Sequence, residues 1–181
     1  MTRQLIYAGI GPRNTPDYAQ ATMTAIADEL QKRNWLLRSG RALSADQAFE
    51  IGAKDKKEIF LPWEGYNGAY TDGGCFKHCK PTDRQVEIAM DAHPAWDKCS
   101  DTAKLLLCRN VPIMLGQTLT KPVDCVVTWL PKAHYAGGTR HALNIASLYG
   151  IPVFDVGIPA DILALSDFIL ATEKKSERKA A

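Results

Sequence analysis

Residues 36–53, Leu36-Leu37-Arg38-Ser39-Gly40-Arg41-Ala42-Leu43-Ser44-Ala45-Asp46-Gln47-Ala48-Phe49-Glu50-Ile51-Gly52-Ala53, read as a short buried strand, a tight loop of small residues and a helix opening at Asp46. A strand that turns straight into a helix leaves free N–H groups and the positive end of the helix dipole at the turn. An anion, most often a phosphate, is favoured there. Two further loops have the same character, Gly9-Ile10-Gly11-Pro12-Arg13 and Ala136-Gly137-Gly138-Thr139-Arg140.

Outward from this stretch, strands and helices alternate. Leu5–Gly9 is an apolar run fit for a buried parallel strand. Thr15 is placed to cap a helix with Pro16 at its first position, and Tyr18, Ala21, Met23, Ala25, Ile26 and Leu30 recur at helical spacing over Asp17–Lys32. Asn34 ends that helix, Trp35–Ser39 forms the second strand and Glu58–Trp63 the third. The order β-α-β-α-β implies a parallel sheet. Glu64–Pro81, with four glycines and no clear period, is expected to be a long loop of the lid or binding kind. Helices are predicted over Thr82–Ala92 and, capped by Ser100, over Asp101–Met114, with Pro112 ending or bending the second. Val123–Leu130 is the most pronounced strand. Thr139 is placed to cap a helix over His141–Tyr149, which Gly150 terminates. A fifth strand, Ile151–Val156, and a last helix, Pro159–Ala171, complete an α/β, Rossmann-like, three-layer doubly wound architecture with a mainly parallel five-stranded sheet. Residues 1–172 form one domain in this reading, and the mixed-sign segment 173–181 is a flexible tail.

Composition narrows the function classes. The chain has 181 residues, 46% hydrophobic and 23% charged, as ordinary globular proteins do. No apolar run approaches the roughly 20 residues that span a bilayer. The apolar part of MTRQLIYAGIG is too short for a signal peptide, so a cytoplasmic location without membrane contact is expected. A net charge of +2 lacks the basic excess of a sequence-independent nucleic-acid binder. The five cysteines are odd in number, which argues against a disulfide framework. Cys75-x-x-His78-Cys79 is not a standard pair of metal hooks, and Cys99 and His93 continue it at irregular spacing, so neither metal nor cofactor is assigned.

In a doubly wound sheet, ligands bind beyond the carboxyl ends of the strands where the strand order reverses. If the first strand is central, the loops at 9–13 and 136–140 flank that point and 39–45 lies beside them. Gly9-x-Gly11 is half of a dinucleotide fingerprint. The third glycine would fall at Asn14, and Arg38-Ser39 stands where an acidic ribose ligand belongs, which argues against an NAD-linked oxidoreductase. Arg13, Arg41 and Arg140 accompany the three loops, and guanidinium groups suit phosphates. The candidate ligand-binding set is therefore Gly9, Gly11, Arg13, Ser39, Gly40, Arg41, Ser44, Asp46, Gly137, Gly138, Thr139 and Arg140. Asp46 is a first-turn acid, a loop-ordering group or a ribose ligand, and Glu50 lies one turn along. Asp46, Glu50 and Glu64 are the candidates for acid–base chemistry. Trp63, Tyr66, Tyr70, Trp96 and Trp129 are packing residues or platforms for a base. His93-Pro94 and Arg109-Asn110, polar pairs in apolar helical surroundings, read as satisfied buried hydrogen-bonding groups.

The segments YAGIGPRNTP, LRSGRALSADQAFEIGA, KEIFLPW, HPAW, CRNVPIMLGQTL and VVTWLPKAHYAGGTRHALNIASLYGIPVFDVG together resemble the DprA-like (DNA recombination-mediator protein A) proteins of tailed bacteriophages. These belong to the SLOG superfamily, with bacterial DprA and the LOG phosphoribohydrolases. The resemblance implies a Rossmann-like sheet holding a nucleotide, a nucleotide-derived signal or single-stranded DNA at the glycine loops. It further implies a homodimer working in a bacterial host cytoplasm, either sequestering a nucleotide signal in counter-defence or assisting recombination. Where relatives keep SGGAxGAD, this chain has Arg41 and Ser44 in place of two glycines. Where they keep GGTGQA it has Arg140 and His141, and Ala142 occupies the place of the LOG glutamate. The resemblance therefore favours a binding protein over a nucleotide N-glycosidase of the phosphoribohydrolase kind.

Overall fold

A computed structural model describes residues 3–131 and 137–178 of the chain. Six parallel strands form one sheet in the order β4-β3-β2-β1-β5-β6. They are β1 (Ile6–Gly9), β2 (Leu36–Ser39), β3 (Lys57–Leu61), β4 (Phe76–His78), β5 (Cys125–Thr128) and β6 (Val153–Asp155). The helices are α1 (Asp17–Lys32), α2 (Ala45–Ala53), α3 (Asp83–Asp91), α4 (Asp101–Leu115), α5 (Gly138–Leu148) and α6 (Pro159–Arg178).

Period-two alternation in the strands sorts the core into two halves. Tyr7, Leu37, Ile59, Leu61, Cys125 and Val127 face α1, α2 and α6. Ile6, Ala8, Phe60 and Val126 face α3, α4 and α5. Because both faces are covered, β1 and β5 are mainly apolar, whereas β2 ends in buried Arg38 and Ser39. Helix α2 lies very close to α1, since a Cβ on Gly52 would come within 2.2 Å of the Thr24 carbonyl oxygen.

Several elements depart from expectation. The sheet has six strands instead of five. The extra strand, β4, pairs with β3 within the stretch assigned to a long loop, after a 3-10 turn at Tyr66–Gly68. It is only three residues long and half-buried throughout, so it shows no alternation. Its entry is set by Asp72, whose carboxylate accepts from the Gly74 and Phe76 amides at 2.8 and 2.9 Å. Thr15 does not cap α1; its hydroxyl donates to the Pro12 carbonyl at 2.7 Å, and Pro16 is the cap position. Thr139 lies inside α5, whose cap position is Gly137. Pro112 does not end α4, which runs on to Leu115. An internal proline costs about 3 kcal/mol. Complete burial of Val111, Ile113, Met114 and Leu115 offsets this, each contributing about 1.5–3 kcal/mol. Helix α6 continues past residue 172 to Arg178, and Glu173 accepts from the Trp35 indole at 2.9 Å.

Candidate functional site

Strand β1 is the switch point, with β2 on one side and β5 on the other. Beyond the carboxyl ends of β1 and β5 opens a cleft of about 500 Å³. One wall is the loop after β1, from Ile10 to Asn14. Opposite it are Gly137, Gly138, Thr139 and Ala142 of α5. Arg109 and Asn110 of α4 line it with Ala42 and Asp46, and His93 and Cys99 complete the lining with apolar Ala103, Leu106 and Leu107.

The glycines of the first loop serve packing. A Cβ on Gly9 would meet the Phe49 ring at 2.5 Å, and one on Gly11 would meet the Ala45 Cβ at 2.6 Å. Helix α2 can therefore press against the end of β1, and Gly9 itself does not reach the cleft. Arg13 stands exposed on the cleft wall, and among the described residues nothing pairs with it.

The loop after β2 is closed on itself. Asp46 Oδ2 accepts from the Gly40 and Ala42 amides at 3.2 and 3.1 Å. Arg109 Nη1 donates to the Gly40 carbonyl at 2.6 Å, and a Cβ on Gly40 would strike the guanidinium carbon at 2.6 Å. Ser39 donates to the Gly9 carbonyl at 2.6 Å and Ser44 to the Thr15 carbonyl at 3.1 Å. Arg41 turns away from the cleft. Its Nη1 donates to Glu50 at 2.8 Å, and its guanidinium lies 5.3 Å from the Phe76 ring centre. Arg41 and Ser44 have φ of 57° and 74°, the left-handed region that costs a non-glycine residue about 1–2 kcal/mol. The backbone thus keeps the form that glycines at 41 and 44 would give.

Burial dominates the electrostatics. Asp46 is 3% exposed. Burial pushes its carboxyl up from 3.8 to about 6, against the pull of Arg109 and of the two loop amides. His141 is buried and held neutral, its value lowered by burial from 6.5 to about 4. Its Nε2–H donates to the Ala89 carbonyl at 2.9 Å, which leaves Nδ1 to accept from Asn110 at 3.2 Å. Asn110 also donates to the Gly138 carbonyl at 3.0 Å and so ties α4 to the first turn of α5. Among the described residues that turn has no side-chain cap. His93 packs its ring 5.9 Å from that of His141, with the Cys99 sulfur 3.9 Å from its nitrogens.

Of the residues singled out from sequence, Gly11, Arg13, Asp46, Gly137, Gly138 and Thr139 line one cleft. Gly9, Ser39, Gly40, Arg41 and Ser44 lie outside its lining. Arg140 is exposed in the first turn of α5 and outside the lining, and Ala136 of that loop lies outside the described residues. Glu50 is buried between Arg41 and Lys57, and exposed Glu64 accepts from Thr71; neither borders the cleft. None of the five aromatic candidates does. Tyr66 instead lies 5.5 Å under the Arg109 guanidinium. Arg109 and Asn110, read from sequence as satisfied buried groups, are hydrogen-bonded except at Arg109 Nε, which is buried with no partner among the described residues, and they also line the cleft. The signal for that role was present in the charged and amide pair within CRNVPIML.

Sheet order and cleft define a Rossmann-like α/β protein with its open site at the switch point. DNA processing protein A from Helicobacter pylori, a single-stranded DNA binder, shares this fold with a TM-score of 0.58 and 20% identity. The match covers 83% of this chain, which spans 64% of that protein's length. Molybdenum cofactor carrier proteins of Chlamydomonas reinhardtii match at 15% and 14% identity, with TM-scores of 0.48 and 0.49. These cover 84% and 94% of this chain and 76% and 86% of theirs. No family model matches the chain, and no curated protein does. Among the described residues no helix is long and apolar enough to cross a membrane.

Proposed function

We propose that the chain is a nucleotide-binding protein of the DprA-like SLOG type, whose cleft holds the phosphate of a nucleotide or a nucleotide-derived small molecule. The observation that carries this is the meeting in one cleft of a cation, Arg13, and the first turn of α5, which among the described residues have no side-chain partner and no side-chain cap, respectively. Amides at a helix start and a guanidinium are the usual partners of one phosphate. Leu106, Leu107 and Ala103 offer an apolar surface to the remainder of the ligand. A tightly held, unaltered ligand suits sequestration of a signal, in a homodimer within the host cytoplasm.

The enzyme reading keeps one candidate. Asp46 is the carboxylate in the lining, and an acid raised to about 6 suits proton transfer. It also holds the loop amides, which favours binding over N-glycoside cleavage.

A thermal-shift series with nucleoside monophosphates tests the proposal. Ligand at about 100 times its Kd adds about 2.7 kcal/mol, which raises the midpoint of a chain this size by about 5–10 °C. A shift abolished in Arg13→Ala supports phosphate binding in the cleft, and free base in the same samples would mark an enzyme. No shift with mononucleotides, alongside salt-steep binding of an oligonucleotide, would replace this reading with a single-strand binder.

A further inference from the structure

Asp46 is a half-used carboxylate. Oδ2 takes both loop amides, and among the described residues no group donates to Oδ1. The side chain is almost wholly buried and yet lines the cleft. Among the described residues Asp46 is the one carboxylate in that lining. Arg13, the α5 amides and Arg109 are donors, Asn110 has both amide hydrogens engaged, by Gly138 and His141, and Asn14, His93 and Thr139 carry uncharged groups that can donate or accept. The cleft therefore joins a cationic wall to a single strong, desolvated acceptor.

We propose that Asp46 Oδ1 receives the vicinal hydroxyls of a ribose, so that the cleft selects ribonucleotides over deoxyribonucleotides. This rests on the nucleotide reading above and names the feature of the ligand the cleft reads. A hydroxyl is a neutral donor that a carboxylate accepts without competing for the phosphate's cations. A deoxy sugar withholds those donors from Oδ1, and hydrogen bonds to charged groups are the costly ones to leave unmade.

Isothermal titration with AMP, GMP, CMP and UMP and their 2′-deoxy and 3′-deoxy counterparts tests this on the unaltered protein. The expected result is weakening by about tenfold or more in both deoxy series, whichever base is best. Asp46→Asn keeps an acceptor oxygen for the Gly40 and Ala42 amides and turns a donor toward the cleft. In that variant ribo and deoxy ligands bind alike. Arg13→Ala weakens both series by the same factor and leaves their ratio unchanged. Equal affinity for ribo and deoxy forms in the unaltered protein overturns the Asp46 assignment and leaves the nucleotide reading intact. So does a preference that follows amino-bearing bases regardless of sugar. Failure of every member to bind overturns the nucleotide reading itself and the assignment with it.

Discussion

The loop after β1 and the loop after β2 leave neighbouring parallel strands, carry one arginine each and lead into helices on the same face of the sheet. They present opposite surfaces. In the first, Arg13 faces solvent on the cleft wall. In the second, Asp46 takes the Gly40 and Ala42 amides, Arg109 takes the Gly40 carbonyl, and Arg41 is engaged by Glu50. A loop of small residues at a helix start binds an anion only when its own chain has not already supplied one. Asp46 supplies one to the second loop, and among the described residues no side chain does so for the first turn of α5.

The difference can be broken most severely at Arg109. Arg109→Met should cost about 3–5 kcal/mol in urea unfolding, because it removes the charged donor to Gly40 and the cation nearest the buried Asp46. Loss of under 1 kcal/mol would mean that the second loop is held by its amide bonds alone.

Acid titration sharpens the same contrast. The native state binds the Asp46 proton more tightly than the unfolded chain does. Its contribution is therefore full below pH 3.8 and lost as pH rises through about 6. His141 behaves oppositely, its contribution being present above pH 6.5 and lost as pH falls toward about 4. At about 1.4 kcal/mol per pH unit each effect is worth about 3 kcal/mol, and over pH 4–6 they oppose one another. Asp46→Asn should therefore lose stability on acidification through that window, and His141→Gln should gain it. Parallel profiles for both variants would contradict the assignment.

Gly9→Ala should destabilise by about 1–3 kcal/mol, since the added methyl meets Phe49 and Leu37. Arg41→Ala should cost about 1–2 kcal/mol, leaving Glu50 with Lys57 at 3.4 Å as its cation. Arg13→Ala should stay within about 0.5 kcal/mol of the parent.

How much of this was legible follows the same contrast. The bounds of helix α1 match the reading to the residue, with Asn34 at φ 63° just past its end, but its buried face is Ala19, Met23, Ala27 and Leu30, and of the apolar residues read at helical spacing Tyr18, Ala21 and Ala25 are exposed. The strand cores were readable because they are buried on both faces. Strand β4 was not, being three half-buried residues at an edge with Lys and His among them. The cleft was legible as loops that converge on a switch point, but not as roles within it. Arg41 and Arg13 look equivalent in sequence; the buried carboxylate of Glu50 and the Phe76 ring, both against Arg41, separate them, and only three dimensions show it. Arg41 and Ser44 stand where the relatives keep glycine. In the structure they leave the turn intact and send the charge elsewhere.

The central claim is that phosphate is met by Arg13 and the first turn of α5, and not by the loop after β2. Titration of the best-binding ribonucleoside monophosphate, and of its unphosphorylated nucleoside, into Arg13→Ala and Arg41→Ala tests this directly. The account predicts that Arg13→Ala loses about tenfold in affinity for the phosphorylated ligand alone, whereas Arg41→Ala retains the parent's affinity once folded. A phosphate-dependent loss in Arg41→Ala with none in Arg13→Ala would contradict it.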